Sequence, residues 1–251
     1  MATAKDIVIK QIDSKTANDI VRKLHYSGKV VSNSQIHFGV FINNVLEGAM
    51  QFGPSLDKRK IQGLVSGTLW HEFIELNRMA FSEALPRNSE SRAIAIVMRL
   101  LKKNAPQLKW VVSFADATQC GDGTIYRASG FVLTGIKENG QILDWDGQLI
   151  AKKTLDNLNY PRPNGKYYSR VLLETGQAHK ILGFQLRYIY FLDPSYRARL
   201  TVPEIPFSEI EKRGAKMYKG NPGGRGETDN ALQSNDETGG ASPTRPLLET
   251  A

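Results

Sequence analysis

The sequence predicts a single α+β domain in which a mixed central sheet is flanked by helices. Several segments alternate apolar and polar residues with the period of two that is typical of strands. One longer segment has apolar residues three and four positions apart, as in an amphipathic helix. The 251 residues, of which 41% are hydrophobic, can bury one sizeable core, whereas a second independent core would be cramped.

The chain opens with a strand and a helix. Ile7 to Ile12 alternates apolar and polar residues, and Asp13 or Ser14 can cap a helix that runs through Leu24. This helix is expected to end near the sequence His25-Tyr26-Ser27-Gly28.

An antiparallel hairpin follows the first helix. Two strand-like segments, His37 to Ile42 and Val45 to Phe52, flank Asn43-Asn44. Asparagine tolerates positive φ, which two-residue hairpin loops require.

The residue pattern in the middle of the chain predicts a strand, a polar loop, an amphipathic helix, a second strand and a short helix in direct succession. The loop holds Asn, Ser and Arg residues and leads into the longer helix. Gly130 ends the short helix, and an extended segment follows it. The predicted bounds are Phe73 to Phe81, Ser89 to Lys103, Trp110 to Asp116, Thr124 to Ser129 and Val132 to Lys137.

The last part of the chain has weaker patterns. Tyr167 to Leu173 and Phe184 to Phe191 are predicted strands, and Ser208 to Lys216 is a predicted short helix. From about residue 219 the chain carries almost no apolar side chains, so burial cannot offset the entropy of ordering it. We expect a domain over residues 1–218 and a disordered polar tail over residues 219–251.

Composition limits the partners and the compartment. The formal charge of +8 and the pI near 9.5 favour a polyanionic partner, although a solvated basic surface explains them equally well. A single cysteine, Cys120, excludes an internal disulfide and fits a reducing cytoplasm. No segment resembles a signal peptide or is long and apolar enough to span a bilayer.

The start of the predicted central helix is a candidate phosphate site. Asn88, Ser89 and Ser91 can cap its free amides, and the helix dipole adds positive potential beside Arg87 and Arg92. The alternative is an ordinary N-cap with solvated arginines. Because this loop lacks glycine, we expect hydroxyl and guanidinium groups to replace part of a backbone phosphate cradle.

Two charged residues occupy notable positions on the central strands. Arg78 lies inside a largely apolar strand, where a guanidinium requires a carboxylate or phosphate partner. Glu75 could supply an ion pair, so a structural role competes with a ligand contact. Asp116 ends the next strand, where ligands of α/β sheets often bind, although it could simply cap the following turn.

Aromatic and imidazole side chains complete the candidate chemistry. Tyr126 follows Gly121-Asp122-Gly123 on the short helix, and its phenol could donate a proton to a departing thiolate. A core position is the alternative. His25 and Tyr26, at the end of the first helix, could bind iron or move protons, or could serve only in packing and capping.

The succession of central elements resembles the core of the GNAT acyltransferase fold. The segments ELNRMAF, PRNSESRAIA, WVVSFADATQCGDGTIYRASGF and HYSG further resemble the Mom family of phage proteins. Members of that family convert adenine in DNA to a methylcarbamoyl (carbamoylmethyl) form. The matching segments span His25 to Thr134, less than half of the chain.

The resemblance implies roles for matching residues. Arg78, Ser91 and Tyr126 would serve acetyl-CoA binding or the active site, and His25, Tyr26 and Asp116 would be candidate iron ligands. The donor would be acetyl-CoA or another acyl or glycine-like compound. The partner would be double-stranded DNA in the host cytoplasm, with the adenine flipped or the duplex locally opened. Modification would protect phage DNA from host restriction enzymes.

Basic clusters are the candidate DNA contacts. They are Lys58, Arg59 and Lys60 after the hairpin, Arg99, Lys102 and Lys103 on the helix, and the segment Lys212 to Lys216. Aromatic residues lie near basic residues in Tyr160-Pro161-Arg162-Pro163 and at Tyr167-Tyr168, an arrangement suited to base stacking or to edge-strand packing.

Two other functions fit the sequence. One is an ordinary N-acetyltransferase that acts on a protein or a small amine. The other is a basic DNA-binding protein that has the fold but no catalytic activity.

Overall fold

A seven-stranded mixed sheet forms the centre of the domain. The computed structural model describes residues 2–117, 121, 123–138, 140–157, 160–181 and 183–214. The strands of this sheet are β1 (Val8–Gln11), β2 (Ile36–Ile42), β3 (Val45–Gly53), β4 (Phe73–Phe81), β5 (Trp110–Asp116), β6 (Val132–Glu138) and β10 (Phe184–Phe191). The strand order of the sheet is β1-β2-β3-β4-β5-β10-β6, and only the β4–β5 pair is parallel.

Helices cover both faces of this sheet. Ile94, Val97 and Leu101 of the longest helix pack into one buried cluster with strand residues such as Leu76 and Val111. The opposite face holds a second cluster that includes residues of β4, β5 and β10. The helices are α1 (Ser14–Leu24), α2 (Lys58–Gln62), α3 (Ser89–Asn104), α4 (Thr124–Ala128), α5 (Lys152–Leu155), α6 (Tyr168–Glu174) and α7 (Ser208–Lys212). The predicted α+β class is therefore confirmed.

The predicted N-terminal elements are confirmed. Asp13 caps α1 by accepting a hydrogen bond from the Thr16 amide at 2.9 Å, and α1 ends at Leu24. Asn43 and Asn44 both have positive φ, 50° and 64°, in the two-residue loop that joins β2 and β3.

The β4–β5 pair separates part of the way along its length. Pairing runs from Phe73–Trp110 to Leu76–Ser113 and stops there, although β4 continues to Phe81 and β5 to Asp116. Beyond this point β4 pairs only with β3, and β5 only with β10. We call the opening the β4–β5 fork.

The predicted strand over Tyr167 to Leu173 is wrong, because this segment forms the helix α6. Its buried residues, Ser169 and Leu172, are three positions apart, as on one face of a helix. Arg170 and Glu174 form an ion pair at 2.8 Å with the i, i+4 spacing of a helix. The tyrosines at the start of the segment favoured a strand, but burial of Leu172 against Leu143 and Leu155 determined the outcome.

Other elements were not predicted. A three-stranded sheet, in the order β8-β7-β9, is built from β7 (Ile142–Trp145), β8 (Gln148–Ala151) and β9 (Ala178–Lys180). Lys58, Arg59 and Lys60 lie on the short helix α2 and not in the expected loop. The helix predicted over Ser208 to Lys216 ends at Lys212.

The predicted tail over residues 219–251 lies outside the described residues, as does the boundary at residue 218. Among the helices that the structure describes, none combines the length and the apolar character needed to cross a membrane.

We predict that Gly53→Ala destabilises the domain. A Cβ at this position would lie 2.6 Å from the Asn33 carbonyl oxygen and 2.8 Å from Ser34 Cα, and these backbone atoms cannot move aside freely. Overpacking of this kind costs about 1–3 kcal/mol, measurable by chemical denaturation.

The matched control is Gly63→Ala, whose Cβ would meet only the Lys60 carbonyl oxygen at 3.5 Å. This variant should be as stable as the wild type or slightly more stable. Equal stability of the two variants would contradict the predicted close approach at Gly53.

Candidate functional site

A cavity of about 380 Å³ opens at the β4–β5 fork. Its size falls in the range of about 300–1,000 Å³ that is usual for small-molecule sites. The strands contribute polar side chains, and the chain around α1 and α2 forms the rest of the wall. The lining residues are Tyr26, Ser55, Leu56, Asp57, Ile61, Glu75, Leu76, Asn77, Arg78, Phe114, Asp116 and Gln185.

A β-bulge in β4 lies beside this cavity. Gln51 of β3 pairs with Arg78, and Phe52 pairs with Leu76, so Asn77 is an extra residue on β4. The four consecutive residues Glu75 to Arg78 border the cavity, although the Leu76 side chain is buried in the core cluster on the α3 side. The polar residues Glu75, Asn77 and Arg78 therefore meet at the cavity beside the bulge.

Arg78 is half-buried and held by backbone carbonyls. Its Nε donates to the Lys29 carbonyl at 2.9 Å, and its Nη1 donates to the Asn77 carbonyl at 2.7 Å. The expected alternative was an ion pair with Glu75. The Arg78 charge does lower the pKa of that carboxyl, but carbonyl oxygens accept the hydrogen bonds of the guanidinium.

Glu75 is a carboxyl group in the cavity whose environment favours proton uptake. Burial raises its pKa, and this effect outweighs the opposing influence of Ser55, Asn77 and Arg78. Asn77 is itself fixed, since its Oδ1 accepts a hydrogen bond from Ser34 Oγ at 3.1 Å. A partly buried carboxyl with a raised pKa in a polar cavity is a candidate for proton transfer.

Asp116 and Tyr26 line the same cavity, as the predicted active site requires. The His25 ring packs against the Tyr26 ring at a tilt of 31°, with ring centroids 4.4 Å apart, and its Nδ1 accepts a hydrogen bond from the Ser27 amide at 3.2 Å. Burial lowers the pKa of His25 to about 4, and the Arg78 charge contributes to this shift. The imidazole is therefore neutral at physiological pH.

This arrangement does not support the predicted iron site. The described residues contain no group of three or more His, Cys, Asp or Glu side chains that could hold a metal ion. The permanent charge of Arg78 lies close enough to disfavour a cation near His25. The mechanism proposed below therefore assigns no step to a metal.

Tyr126 approaches the fork from the side covered by α3. Its ring packs between Phe131 and Tyr188, and only 8% of the residue is exposed. Its hydroxyl accepts a hydrogen bond from Ser113 Oγ at 2.8 Å, and Ser113 is the last β5 residue paired with β4. Tyr126 is not among the described residues that line the cavity, so it lies behind the fork and does not face Asp116 as expected.

The start of α3 has free amides, as an anion site requires. Asn88 occupies the N-cap position with φ of 69°, a left-handed conformation that asparagine tolerates, but its side chain makes no capping bond. Among the described residues, nothing accepts a hydrogen bond from the amides of Glu90 or Ser91. The predicted side-chain capping is therefore wrong, and Asn88 takes the positive φ for which glycine is more common.

The other residues predicted to bind phosphate differ in accessibility. Arg87 is exposed, and Ser91 Oγ donates to the Asn88 carbonyl at 3.2 Å. Ser89 is fully buried, with an Oγ that has no hydrogen-bond partner, so an incoming phosphate cannot reach it in this arrangement. Arg92 Nη2 lies 3.4 Å from the Lys5 carbonyl and so points toward the N-terminal segment.

The predicted DNA-binding residues are largely on the surface. Arg59, Lys60, Arg99, Lys102 and Lys103 are exposed. Lys58 is half-buried, and its Nζ lies 4.5 Å from the centre of the Trp70 ring, a cation–π contact. Burial lowers the pKa of Lys58.

The other predicted nucleic-acid contacts receive less support. Tyr160 and Tyr168 stack on each other at 5.5 Å and pack against a buried cluster, which agrees with the packing alternative. The Arg162 guanidinium lies 4.7 Å from the Tyr167 ring. Of the basic segment Lys212 to Lys216, only residues 212–214 are described.

Sequence reasoning missed several cavity residues. Glu75 was considered only as a partner for Arg78, and Asn77 and Gln185 were not singled out. Gln185 could have been found from pairing, because it lies opposite Asp116 on the neighbouring strand and shares its face. The position of Asn77 depends on the bulge, which no pattern in the sequence predicts.

Known proteins resemble this chain in sequence and, more distantly, in structure. The model of the Mom protein family matches residues 6–209. The methylcarbamoylase Mom of Escherichia phage Mu is 35% identical over 198 residues, which cover 78% of this chain and 80% of that protein.

Solved structures show a more distant likeness. A GNAT family acetyltransferase from Elizabethkingia anophelis with acetyl-CoA bound is 15% identical, with a TM-score of 0.43, and the match covers 74% of this chain and 98% of that one. For the ribosomal-protein-S18-alanine N-acetyltransferase from Escherichia coli the identity is 12%, the TM-score 0.42 and the coverages 74% and 94%.

The family match extends over most of the chain and includes α1, the β4–β5 fork, α3 and α4. The identity to the phage Mu protein is high enough, over enough of both sequences, to establish common descent. The chain therefore belongs to the Mom protein family.

Proposed function

We propose that this protein is a transferase that converts adenine in phage DNA to the methylcarbamoyl form at its exocyclic amine. The proposal is supported by membership of the Mom family together with the phage Mu relative, a methylcarbamoylase. The structural observation that carries it is the polar cavity at the β4–β5 fork. Such a modification would protect the DNA from restriction enzymes in the host cytoplasm.

The cavity suits a base better than a phosphate. Asp57, Glu75 and Asp116 give its lining three carboxyl groups against the single cation Arg78. Carboxylates repel phosphate but can accept hydrogen bonds from an amine. Asn77 and Gln185 add amide groups of the kind that pair with the edge of adenine. The target amine is paired inside a duplex, so the adenine has to leave the base stack to enter this cavity.

The donor would bind at the start of α3. The free amides of Glu90 and Ser91 and the exposed guanidinium of Arg87 together form a site for a pyrophosphate such as that of acetyl-CoA. The residues fit this group, because the left-handed Asn88 leaves the helix end without a side-chain cap. Transfer from acetyl-CoA alone would bond N6 to the carbonyl carbon and give an acetamide. The methylcarbamoyl product instead requires a donor, such as a glycine-like compound, that carries a carboxamide and a leaving group on its methylene carbon. N6 of the adenine would displace that group, which departs with the electron pair of its bond to carbon.

Proton movements can be assigned to residues at the fork. When N6 forms its new bond to carbon it must lose a proton, and a carboxylate in the cavity can accept it. Glu75 is the best candidate because burial raises its pKa, while Asp116 can orient the amine. Tyr126, held by Ser113 behind the fork, is the proposed proton donor to the leaving group.

The first prediction concerns the carboxyl groups of the cavity. Glu75→Gln should lower the modified fraction of deoxyadenosine about a hundredfold or more, because the amide cannot accept the proton. Asp116→Asn should also lower it, because a carboxylate partner of the amine is lost. The measurement is mass spectrometry of nucleosides from DNA of cells that express each variant.

The matched control is Glu138→Gln, which changes an exposed glutamate at the end of β6 and should leave modification intact. Full modification by both cavity variants would remove these carboxyl groups from the mechanism. If the wild type modifies a free amine or a protein and leaves DNA unchanged, the protein is an ordinary N-acetyltransferase. Unmodified DNA together with tight, salt-dependent binding would indicate a DNA-binding protein without catalysis.

The second prediction concerns the donor site. Arg87→Ala should weaken the binding of coenzyme A roughly tenfold, the loss that accompanies removal of one charge-assisted hydrogen bond. Isothermal titration calorimetry on the purified protein measures this directly. Arg99→Ala removes the same charge further along α3 and serves as the control, with unchanged affinity expected.

If both arginine variants bind coenzyme A as the wild type does, Arg87 is not part of the donor site. If both lose affinity equally, the general positive potential of α3 and not a local phosphate contact would explain binding.

A further inference from the structure

Leu56 is the most exposed large hydrophobic residue described, with 96% of its surface accessible. It lies in the turn between β3 and α2 and forms part of the cavity rim. Isolated surface leucines are common and need no explanation. This one is unusual because it stands beside the proposed base-binding cavity.

The turn that carries Leu56 is held at both ends. On one side Ser55 is buried, and the carbonyl of Pro54 accepts a hydrogen bond from Asn33 Nδ2 at 3.1 Å. On the other side Ile61 of α2 is buried in the second core cluster. The leucine is therefore presented on an anchored turn.

The cavity is the more acidic side of this residue and α2 the basic side. The cavity lining carries three carboxyl groups, Asp57, Glu75 and Asp116, and one cation, Arg78. Lys58, Arg59 and Lys60 lie on α2, whose N-cap is Asp57. A DNA backbone is attracted to the basic side and repelled from the acidic side. This arrangement would hold the phosphates along α2 with Leu56 between the backbone and the cavity.

We propose that Leu56 is a wedge that enters the DNA duplex and fills the space left by the flipped adenine. Apolar side chains inserted between base steps unstack them and stabilise an opened duplex. Tyr26 borders the same cavity and is 52% exposed, so it offers an aromatic surface to the extruded base. The inference rests on the proposed function, because a wedge is needed only if the adenine leaves the stack.

The first test is modification in cells. Leu56→Ala should lower the modified fraction of plasmid deoxyadenosine at least about tenfold, because extrusion of a paired base is costly without a wedge. Leu56→Met, which keeps a long apolar side chain, should restore most of it. Leu149→Ala, at another exposed leucine on β8, is the control and should modify DNA as the wild type does.

The second test separates a wedge from a simple contact. The affinities of the wild type and of Leu56→Ala are measured for a duplex with a central paired adenine and for the same duplex with an abasic site opposite that adenine. The variant should lose about tenfold in affinity for the paired duplex. It should lose much less for the abasic duplex, because the adenine there has no base pair to break. Equal losses on both duplexes, or none, would overturn the wedge.

The two hypotheses fail in different ways. If wild-type protein leaves cellular DNA unmodified, the proposed function fails, and the binding comparison still decides whether Leu56 opens a duplex. If the wild type modifies DNA and Leu56→Ala does so equally well, only the wedge is overturned. If Leu56→Ala instead converts a dimer to a monomer in light scattering, the leucine contacts a second copy of the chain and the wedge is also overturned.

Discussion

The site depends on the separation of two parallel strands. β4 and β5 exchange backbone hydrogen bonds as far as Leu76 and Ser113, and then each strand remains paired only with its outer neighbour. The sheet tolerates this opening because the hairpin partner β3 supports one half and β10 supports the other. Buried amides and carbonyls at the inner edges require partners, and the Asn77 carbonyl accepts a hydrogen bond from Arg78 Nη1 at 2.7 Å. Ser113 Oγ lies 3.3 Å from the Leu76 carbonyl, at the point where the strands separate.

The bulge at Asn77 and the fork act together. Asn77 is the extra residue of the bulge, and it borders the cavity together with Glu75 and Arg78. The Leu76 side chain stays in the core on the α3 side. The Arg78 charge lowers the pKa of both His25 and Glu75. Burial lowers the pKa of His25 further but raises that of Glu75. Burial keeps the imidazole neutral and favours the protonated form of the carboxyl.

Sequence patterns predicted the parts of this structure that depend on local chemistry. The hairpin followed from Asn43 and Asn44, and α3 from the spacing of its apolar residues, because turn conformation and amphipathic burial are encoded over short stretches. The role of Glu75 and the inclusion of Gln185 depend on pairing between distant strands, which a single sequence does not reveal. The strand prediction for Tyr167 to Leu173 was wrong for a related reason, because packing against Leu143 and Leu155 outweighed the strand preference of its tyrosines.

The positions of Tyr126 and Asp116 suggest how two substrates could be kept apart until they react. Successive β5 side chains point to opposite faces, so Ser113, with its bound Tyr126, and Asp116 lie on opposite sides of the strand. In the proposed mechanism the donor arrives from the α3 side, where its phosphates meet free amides, and the base arrives from the side of α1 and α2. The two substrates would then meet only through the opening between β4 and β5. Such an arrangement lets one proton leave into an acidic cavity while another is supplied by a phenol packed among apolar rings, so neither group has to perform both steps.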